Sequence, residues 1–350
     1  YFRMIQVNGR FLKQRQTGVQ RFASEISLRL HTILSNRSIQ NEWLTPHHLI
    51  DTPEMPWRSV GWLKGHLWEQ IELPFYASNA LKLNKNALLL SLANTAPLGH
   101  LRNIVTIHDI AFLNANWVSP FFKRYYEWLI PKIAQSSLKI VTVSDYSKRS
   151  LMNYLGCSEE RIVIIPNAVS DVFLNLSINS LGNKYENFYG DYILAVSSLD
   201  PRKNLRRLIL AFEQLRSNCS GLKLVIVGAG NAIFRNSLNN PEITAVLRAN
   251  PDIVFADYVT EIELAQLYRA ARLFVFPSLY EGFGIPPLEA MASGCPVVSS
   301  PNSSLKDVCS DAAHYIDPES IESITNGIKT VLMDSTLSKE LIEKGYANVK

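Results

Sequence analysis

Long apolar runs are missing from this 350-residue sequence. No stretch approaches the ~20 residues that a membrane-spanning helix needs. Cysteine is scarce: Cys157, Cys219, Cys295 and Cys309 are the four present, and no Cys-x-x-Cys pair occurs. That spacing excludes a zinc ribbon or a disulfide framework and fits free thiols in a reducing cytoplasm. Tyr1–Phe11 mixes charges with apolar residues and lacks the hydrophobic block of a signal peptide. No complete Gly-x-Gly-x-x-Gly follows a first strand; Gly228 and Gly230 lack the third glycine and read as a turn. No Asp-x-Asp motif lies at a strand end, and Asp307 and Asp311 alone do not make a metal site, so no metal is expected. Dense Lys/Arg clusters with interleaved aromatics are absent too, which argues against nucleic acid as a partner.

What is present is an ordinary soluble composition, 47% hydrophobic and 19% charged, on a chain long enough for two cores. Charge is unevenly spread. Residues 1–172 hold 19 Lys and Arg against 12 Asp and Glu, while residues 173–350 hold 16 against 19. The first half is therefore net +7 and the second −3, and a basic first half suits an anionic partner such as a lipid headgroup or a pyrophosphate. A merely solvated surface is the plainer alternative.

Short apolar runs alternate with amphipathic segments, the pattern of α/β architecture with parallel sheets. Strands are predicted at Met4–Val7, Leu88–Leu92, Asn103–Ile107, Lys139–Val143 and Arg161–Ile165, with a helix over Gly18–Leu34. Residues 173–190 are polar, rich in Asn, Ser and Gly, and read as a linker. The alternation then restarts with strands at Tyr192–Ser197, Lys223–Val227, Ile253–Phe255, Leu273–Phe276 and Pro296–Ser299. Helices fall at Asn204–Arg216, Glu261–Ala270 and Pro286–Ala292. Two doubly wound, Rossmann-like domains, 1–172 and 191–350, are expected to face each other across a cleft at the carboxyl ends of their strands, where ligands bind in such folds.

The densest chemical signal is Pro277–Ser300, "PSLYEGFGIPPLEAMASGCPVVSS". Gly282 and Gly284 make a bend that lets backbone approach a ligand. Pro286 and Pro287 open a helix whose mouth offers N–H donors and partial positive charge to an anion. Glu281 and Glu289 bracket the bend. Glu289, read into the first helical turn, has a plain alternative as a dipole-stabilising charge. That alternative explains neither the second carboxylate nor the paired glycines, whereas a nucleotide-sugar, with its diphosphate and hydroxyls, explains both. Arg202 and Lys203, read at the start of a helix, oppose its dipole and need a reason, which a bound diphosphate supplies.

Pro277–Ser300 resembles the Glu-x7-Glu signature of the family 4 retaining glycosyltransferases. "TGVQRFASEI" (Thr17–Ile26), "VTIHDIAFL" (Val105–Leu113), Ile140–Val169 and "ILAVSSLDPRKNLRRLILAF" (Ile193–Phe212) resemble further blocks of that family in the same order. "LWEQIELP" (Leu67–Pro74) resembles a subset that builds bacterial surface polysaccharides, including lipopolysaccharide, many of them GDP-mannose users.

The resemblance implies a GT-B fold and a retaining, metal-independent hexosyl transfer without cofactor. It implies GDP-mannose as donor, and as acceptor a saccharide, expected to be polyprenyl-linked. The enzyme would be cytoplasmic, with peripheral contact between its N-terminal domain and the inner face of the membrane. His108, Glu281 and Lys203 would be catalytic. Gly18, Ser198, Arg202, Lys203, Tyr258, Val259, Glu281, Gly282, Phe283, Gly284, Ile285 and Glu289 would bind donor, and Asp109 acceptor, unless it only caps the next turn. Departures exist: the arginine many members carry four residues earlier is Ser198 here, with Arg202 as substitute, and Asp257 stands where a glycine is usual. A GT-B epimerase and a catalytically silent nucleotide-sugar-binding protein stay open as rivals.

Overall fold

A computed structural model of the chain describes residues 4–14, 17–47, 54–77, 87–99, 102–114, 116–174, 188–198, 200–216, 219, 221–228, 241–256 and 259–350. The chain divides into two compact units, Tyr1–Asn167 and Ala168–Lys350. Most of the expected linker, residues 175–187, lies outside the described residues. Just before it, Asp171–Leu174 forms a short helix whose Phe173 is buried in the second unit's core.

Among its described residues the first unit is built on a seven-stranded sheet: β1 (Met4–Asn8), β2 (Gln40–Thr45), β3 (Trp57–Ser59), β4 (Ala87–Ser91), β5 (Asn103–Thr106), β6 (Lys139–Thr142) and β7 (Ile162–Ile164). Every pairing is parallel, in the order β3-β2-β1-β4-β5-β6-β7. Among the described residues the second unit has six strands: β8 (Tyr192–Val196), β9 (Lys223–Val227), β10 (Ile253–Ala256), β11 (Leu273–Phe276), β12 (Val297–Ser299) and β13 (Ala313–Tyr315). These are parallel too, ordered β10-β9-β8-β11-β12-β13. Both orders reverse direction once, between β1 and β4 and between β8 and β11, the doubly wound Rossmann arrangement. β2, β3 and β13 were not read from sequence.

The central strands are apolar because helices cover both faces of such sheets. Leu273–Phe276 is buried at all four positions. One cluster of the second unit, around Tyr268, Phe274 and Met291, and another, around Ile209, Phe212 and Ile328, bury residues from alternate positions of the same strands. In the first unit, the helix Pro120–Ser136 contains Pro131, which cannot donate to the carbonyl four residues back. That carbonyl, on Glu127, accepts instead from the Tyr154 hydroxyl at 3.5 Å.

Candidate functional site

In the second unit the loops leaving β8 and β11, the two strands flanking the topological switch, are joined by three contacts. The Leu279 amide donates to the Arg202 carbonyl at 2.7 Å. The Asn204 side-chain amide donates to the Pro277 carbonyl at 3.0 Å and to that of Pro318 at 2.6 Å. Lys203 Nζ lies 2.6 Å from Glu281 Oε1 and 4.9 Å from the centre of the Phe276 ring. Asn204 holds a left-handed conformation, φ 57°, which asparagine tolerates better than most residues. It ends the short 3-10 turn Pro201–Lys203, so Arg202 and Lys203 stand just before the helix Leu205–Arg216, in a turn of their own. Arg202 Nε pairs with Asp200 Oδ2 at 2.8 Å.

The loop after β12 cradles this pair. The Glu281 amide donates to Ser303 Oγ at 2.7 Å, and Ser304 Oγ reaches the carbonyls of Glu281 and Phe283 at 2.9 and 2.8 Å. Gly284, at φ 103°, is the N-cap of the helix Ile285–Ala292. With prolines at 286 and 287, the donors at that helix mouth reduce to Gly284 and Ile285. Glu289 is the fifth residue of the helix, one residue further along than read from sequence and just past the first turn, so compensation of the helix dipole does not account for it. It is buried, and its Oε2 accepts from the Tyr268 hydroxyl at 3.3 Å. Glu281 is buried as well.

In the first unit His108 follows β5 at its carboxyl end. It is buried, its Nε2 donates to the Leu92 carbonyl at 3.1 Å, and its ring meets Phe22 edge-on at 4.8 Å. A carbonyl can only accept, so Nε2 carries the proton and the neutral ring leaves Nδ1 as acceptor. Burial depresses the His108 pKa, outweighing the opposite pulls of the Leu92 carbonyl and Asp109. Asp109 Oδ1 accepts from the Ala111 amide at 2.9 Å and so caps the following turn. Gly18 opens the helix Gly18–Asn36, exposed.

Sequence reading missed a second cluster at the carboxyl ends of β1 and β4. Glu69 is fully buried beneath Arg10, whose Nε is 3.3 Å from Glu69 Oε1. Asn8 Nδ2 and Thr95 Oγ1 donate to the two Glu69 oxygens at 2.7 and 2.8 Å. Arg10 Nη2 donates to Thr95 Oγ1 at 2.6 Å. The loop Leu92–Leu98 links this cluster to His108: Leu92 holds the imidazole, and Asn94 Oδ1 accepts the His108 amide at 2.9 Å. Arg10 and Thr95 are 85 residues apart, so only the polar loop after an apolar strand could have hinted at them.

Two matches bear on what these units are. Residues 186–348 fit the family model described as Glycosyl transferases group 1, and residues 45–172 fit that of Glycosyltransferase Family 4. The chain belongs to glycosyltransferase family 4. It is 31% identical over 255 residues to O-antigen chain mannosyltransferase B of Escherichia coli, a match covering 71% of this chain and 66% of that protein. To O-antigen chain mannosyltransferase RfbU of Salmonella typhimurium it is 30% identical over 259 residues, covering 72% of this chain and 66% of that one. The match thus stops just short of two thirds of either relative. The fold is GT-B: the crystal structure of WaaG, a glycosyltransferase involved in lipopolysaccharide biosynthesis, superposes with a TM-score of 0.73 at 19% identity, over 99% of this chain and 94% of that one.

Of the residues expected at a family 4 site, Lys203, Glu281, Gly282, Phe283, Gly284, Ile285 and Glu289 gather around the switch point of the second sheet. Ser198 is exposed on the β8 loop, and Val259 packs half-buried against the core. Tyr258 and Asp257 lie outside the described residues, as does Gly230; Gly228 adopts φ 97° against the Ser197 carbonyl. Gly18, His108 and Asp109 belong to the first unit. Among the described residues no group of three His, Cys, Asp or Glu is placed to hold a metal ion.

Proposed function

We propose that the chain moves a mannosyl residue from GDP-mannose, with retention and without metal, onto a polyprenyl-linked saccharide in surface-polysaccharide assembly. The observation that carries this reading is the Lys203–Glu281 pair, 2.6 Å apart beside a glycine bend and a helix mouth at the switch point of a doubly wound sheet. The names of the two mannosyltransferase relatives favour mannose.

In this reading the Lys203 ammonium and the amides of Gly284 and Ile285 meet the diphosphate, neutralising charge that grows as the sugar departs. Arg202 and Ser198 flank the same phosphates. Glu281 turns from Lys203 to the hexose hydroxyls, and Glu289, steadied by Tyr268, accepts from the ribose. The leaving phosphate oxygen takes the proton of the attacking acceptor hydroxyl on the same face, so no side chain serves as general base. His108 suits that scheme: buried and neutral, it offers an acceptor nitrogen to a hydroxyl and not a positive charge. Gly18 contributes a backbone amide, and Asp109 contacts acceptor. Val259 and Tyr258 hold the base.

The basic first unit would rest on the inner membrane face. Phe121, Trp128 and Phe75 are exposed there, with Lys123, Arg124 and Lys132 beside the first two. Among the described residues no helix is long and apolar enough to cross a membrane.

The test is turnover of GDP-mannose in the presence of EDTA, alongside GDP-glucose, UDP-glucose, dTDP-glucose and ADP-glucose. Hydrolysis or transfer of GDP-mannose, lost in Lys203→Ala and Glu281→Ala, is expected. Thermal stabilisation by none of the five, with no turnover, would sink the proposal. Release of an epimerised sugar would favour the rival reaction. Binding without turnover would favour a silent nucleotide-sugar receptor.

A further inference from the structure

The motif Leu67–Pro74 has no task in the scheme above, yet nearly every polar group in it is committed. Its core, Trp68–Glu72, forms one π-helical turn, a rare geometry found most often at functional sites. Trp68 Nε1 donates to the Val60 carbonyl at 2.7 Å. Gln70 pairs with the Ala96 carbonyl and the Leu98 amide, both at 2.9 Å. Glu72 accepts from the Trp62 and Leu63 amides. These three bind the turn to loops that follow β3 and β4, which is scaffolding.

Glu69 is different. Its partner Arg10 is buried with it, and a buried ion pair is seldom more stable than a packed apolar pair of the same size. Stability alone gives no reason to keep both charges there. What the pair does besides holding itself is grip His66. Glu69 Oε2 lies 3.4 Å from His66 Nδ1, and Arg10 Nη1 lies 3.3 and 3.4 Å from the two ring nitrogens. Tyr125 and Tyr126 wall the ring at 5.2 and 5.9 Å, both edge-on. The His66 side chain nevertheless remains 32% exposed. An imidazole oriented from several sides and open on another is preorganised for a ligand. It stands at the carboxyl ends of β1 and β4, on the network that also holds His108.

The chemistry of the ligand follows from charge. Arg10 and Glu69 cancel, so the cluster offers no net field to a phosphate, and Glu69 beside the ring repels one. An imidazole next to a half-buried phenol, Tyr125, suits a neutral polyol. We propose that His66 binds a hydroxyl of the acceptor saccharide, with Glu69 and Arg10 as positioning residues that fix its ring. Burial alone would raise the Glu69 pKa; contacts with His66, Arg10, Asn8 and Thr95 lower it instead, keeping the orienting charge in place. This rests on the glycosyltransferase reading.

The experiment uses the full chain with GDP-mannose as donor and n-octyl α-D-mannopyranoside as acceptor probe. His66→Ala and His66→Gln, at a partly exposed position, leave the fold intact by circular dichroism. Both are expected to raise the acceptor KM about tenfold, one hydrogen bond's worth. The donor KM and the rate of donor hydrolysis without acceptor should not move. Glu69→Gln, which keeps a hydrogen-bonding side chain, should raise acceptor KM less than Glu69→Ala does. Unchanged acceptor KM in both His66 variants overturns the assignment while the transferase reading stands; so does an equal rise in donor KM. A wild-type chain that turns over no nucleotide sugar overturns both.

Discussion

Lys203 and Glu281 occupy each other's charge, so a diphosphate entering their site must draw the ammonium to itself. Lys203→Ala removes the ammonium that the proposed mechanism sets directly against the leaving phosphate, and GDP-mannose turnover should fall about 100-fold, the usual loss for a charge-stabilising donor. Steady-state kinetics measures this, and a loss under threefold would remove Lys203 from the mechanism. Glu69 makes a separate prediction about pH. Its folded-state pKa lies below the ordinary carboxylate value of 4.5, so the stability it contributes is present above that value and drains away as pH falls through the folded pKa. Glu69→Gln leaves Arg10 buried without its counter-charge, which costs about 3–5 kcal/mol. Urea unfolding should show that gap between wild type and variant at pH 7 and a narrowing gap below about pH 4.5. A gap constant across that range would mean the carboxylate is not held by charge.

Two helix starts show how the same residue type serves opposite needs. A Cβ on Gly284 would lie 2.5 Å from Leu305 Cδ2 at φ 103°, so Gly284→Ala should cost about 1–3 kcal/mol of unfolding free energy. Gly18 has no neighbour within 4 Å of such a Cβ and no positive φ. Gly18→Ala should therefore leave stability unchanged or raise it by up to about 1 kcal/mol. If a ligand needs that open backbone, donor turnover falls at least tenfold all the same, and calorimetry with kinetics on one preparation separates the two effects. At this scale the sequence was legible wherever an apolar run stood between polar flanks: Lys223–Val227 and Leu273–Phe276 are strands from the first residue to the last. β2 begins Gln-Asn-Glu, and β3 and β13 are three-residue strands at sheet edges, so none shows such a run. The candidate site divides in the same way. Glu281, Gly284 and Glu289 were legible because one loop and one helix carry them. Arg10, His66, Glu69 and Thr95 come from three separate stretches, and no local spacing announces a pairing that only the sheet order creates.

At the scale of the molecule the uneven charge becomes a physical prediction, because the basic residues of the first half all lie in the unit Tyr1–Asn167, which also carries exposed aromatics. Along the helix Pro120–Ser136, Phe121 is 82% and Trp128 50% exposed. Seven positions apart, they share a face. Lys132 lies over Trp128 with Nζ 4.3 Å from the ring centre, and Lys123 and Arg124 are close by in sequence. Aromatic rings flanked by cations suit a lipid interface, where rings lie at headgroup depth and ammonium groups meet anionic lipid. Each basic residue near such a surface contributes about 1 kcal/mol. Reversing both Lys123 and Arg124 to Glu should therefore weaken sedimentation with phosphatidylglycerol vesicles by at least about tenfold. Raising the salt concentration should do the same to the wild type, while Phe121→Ala should weaken binding at every salt concentration. Equal binding to neutral phosphatidylcholine vesicles would show that charge plays no part. Binding to neither vesicle would leave the aromatic face without a membrane to meet, and the acceptor would then have to reach the enzyme from solution.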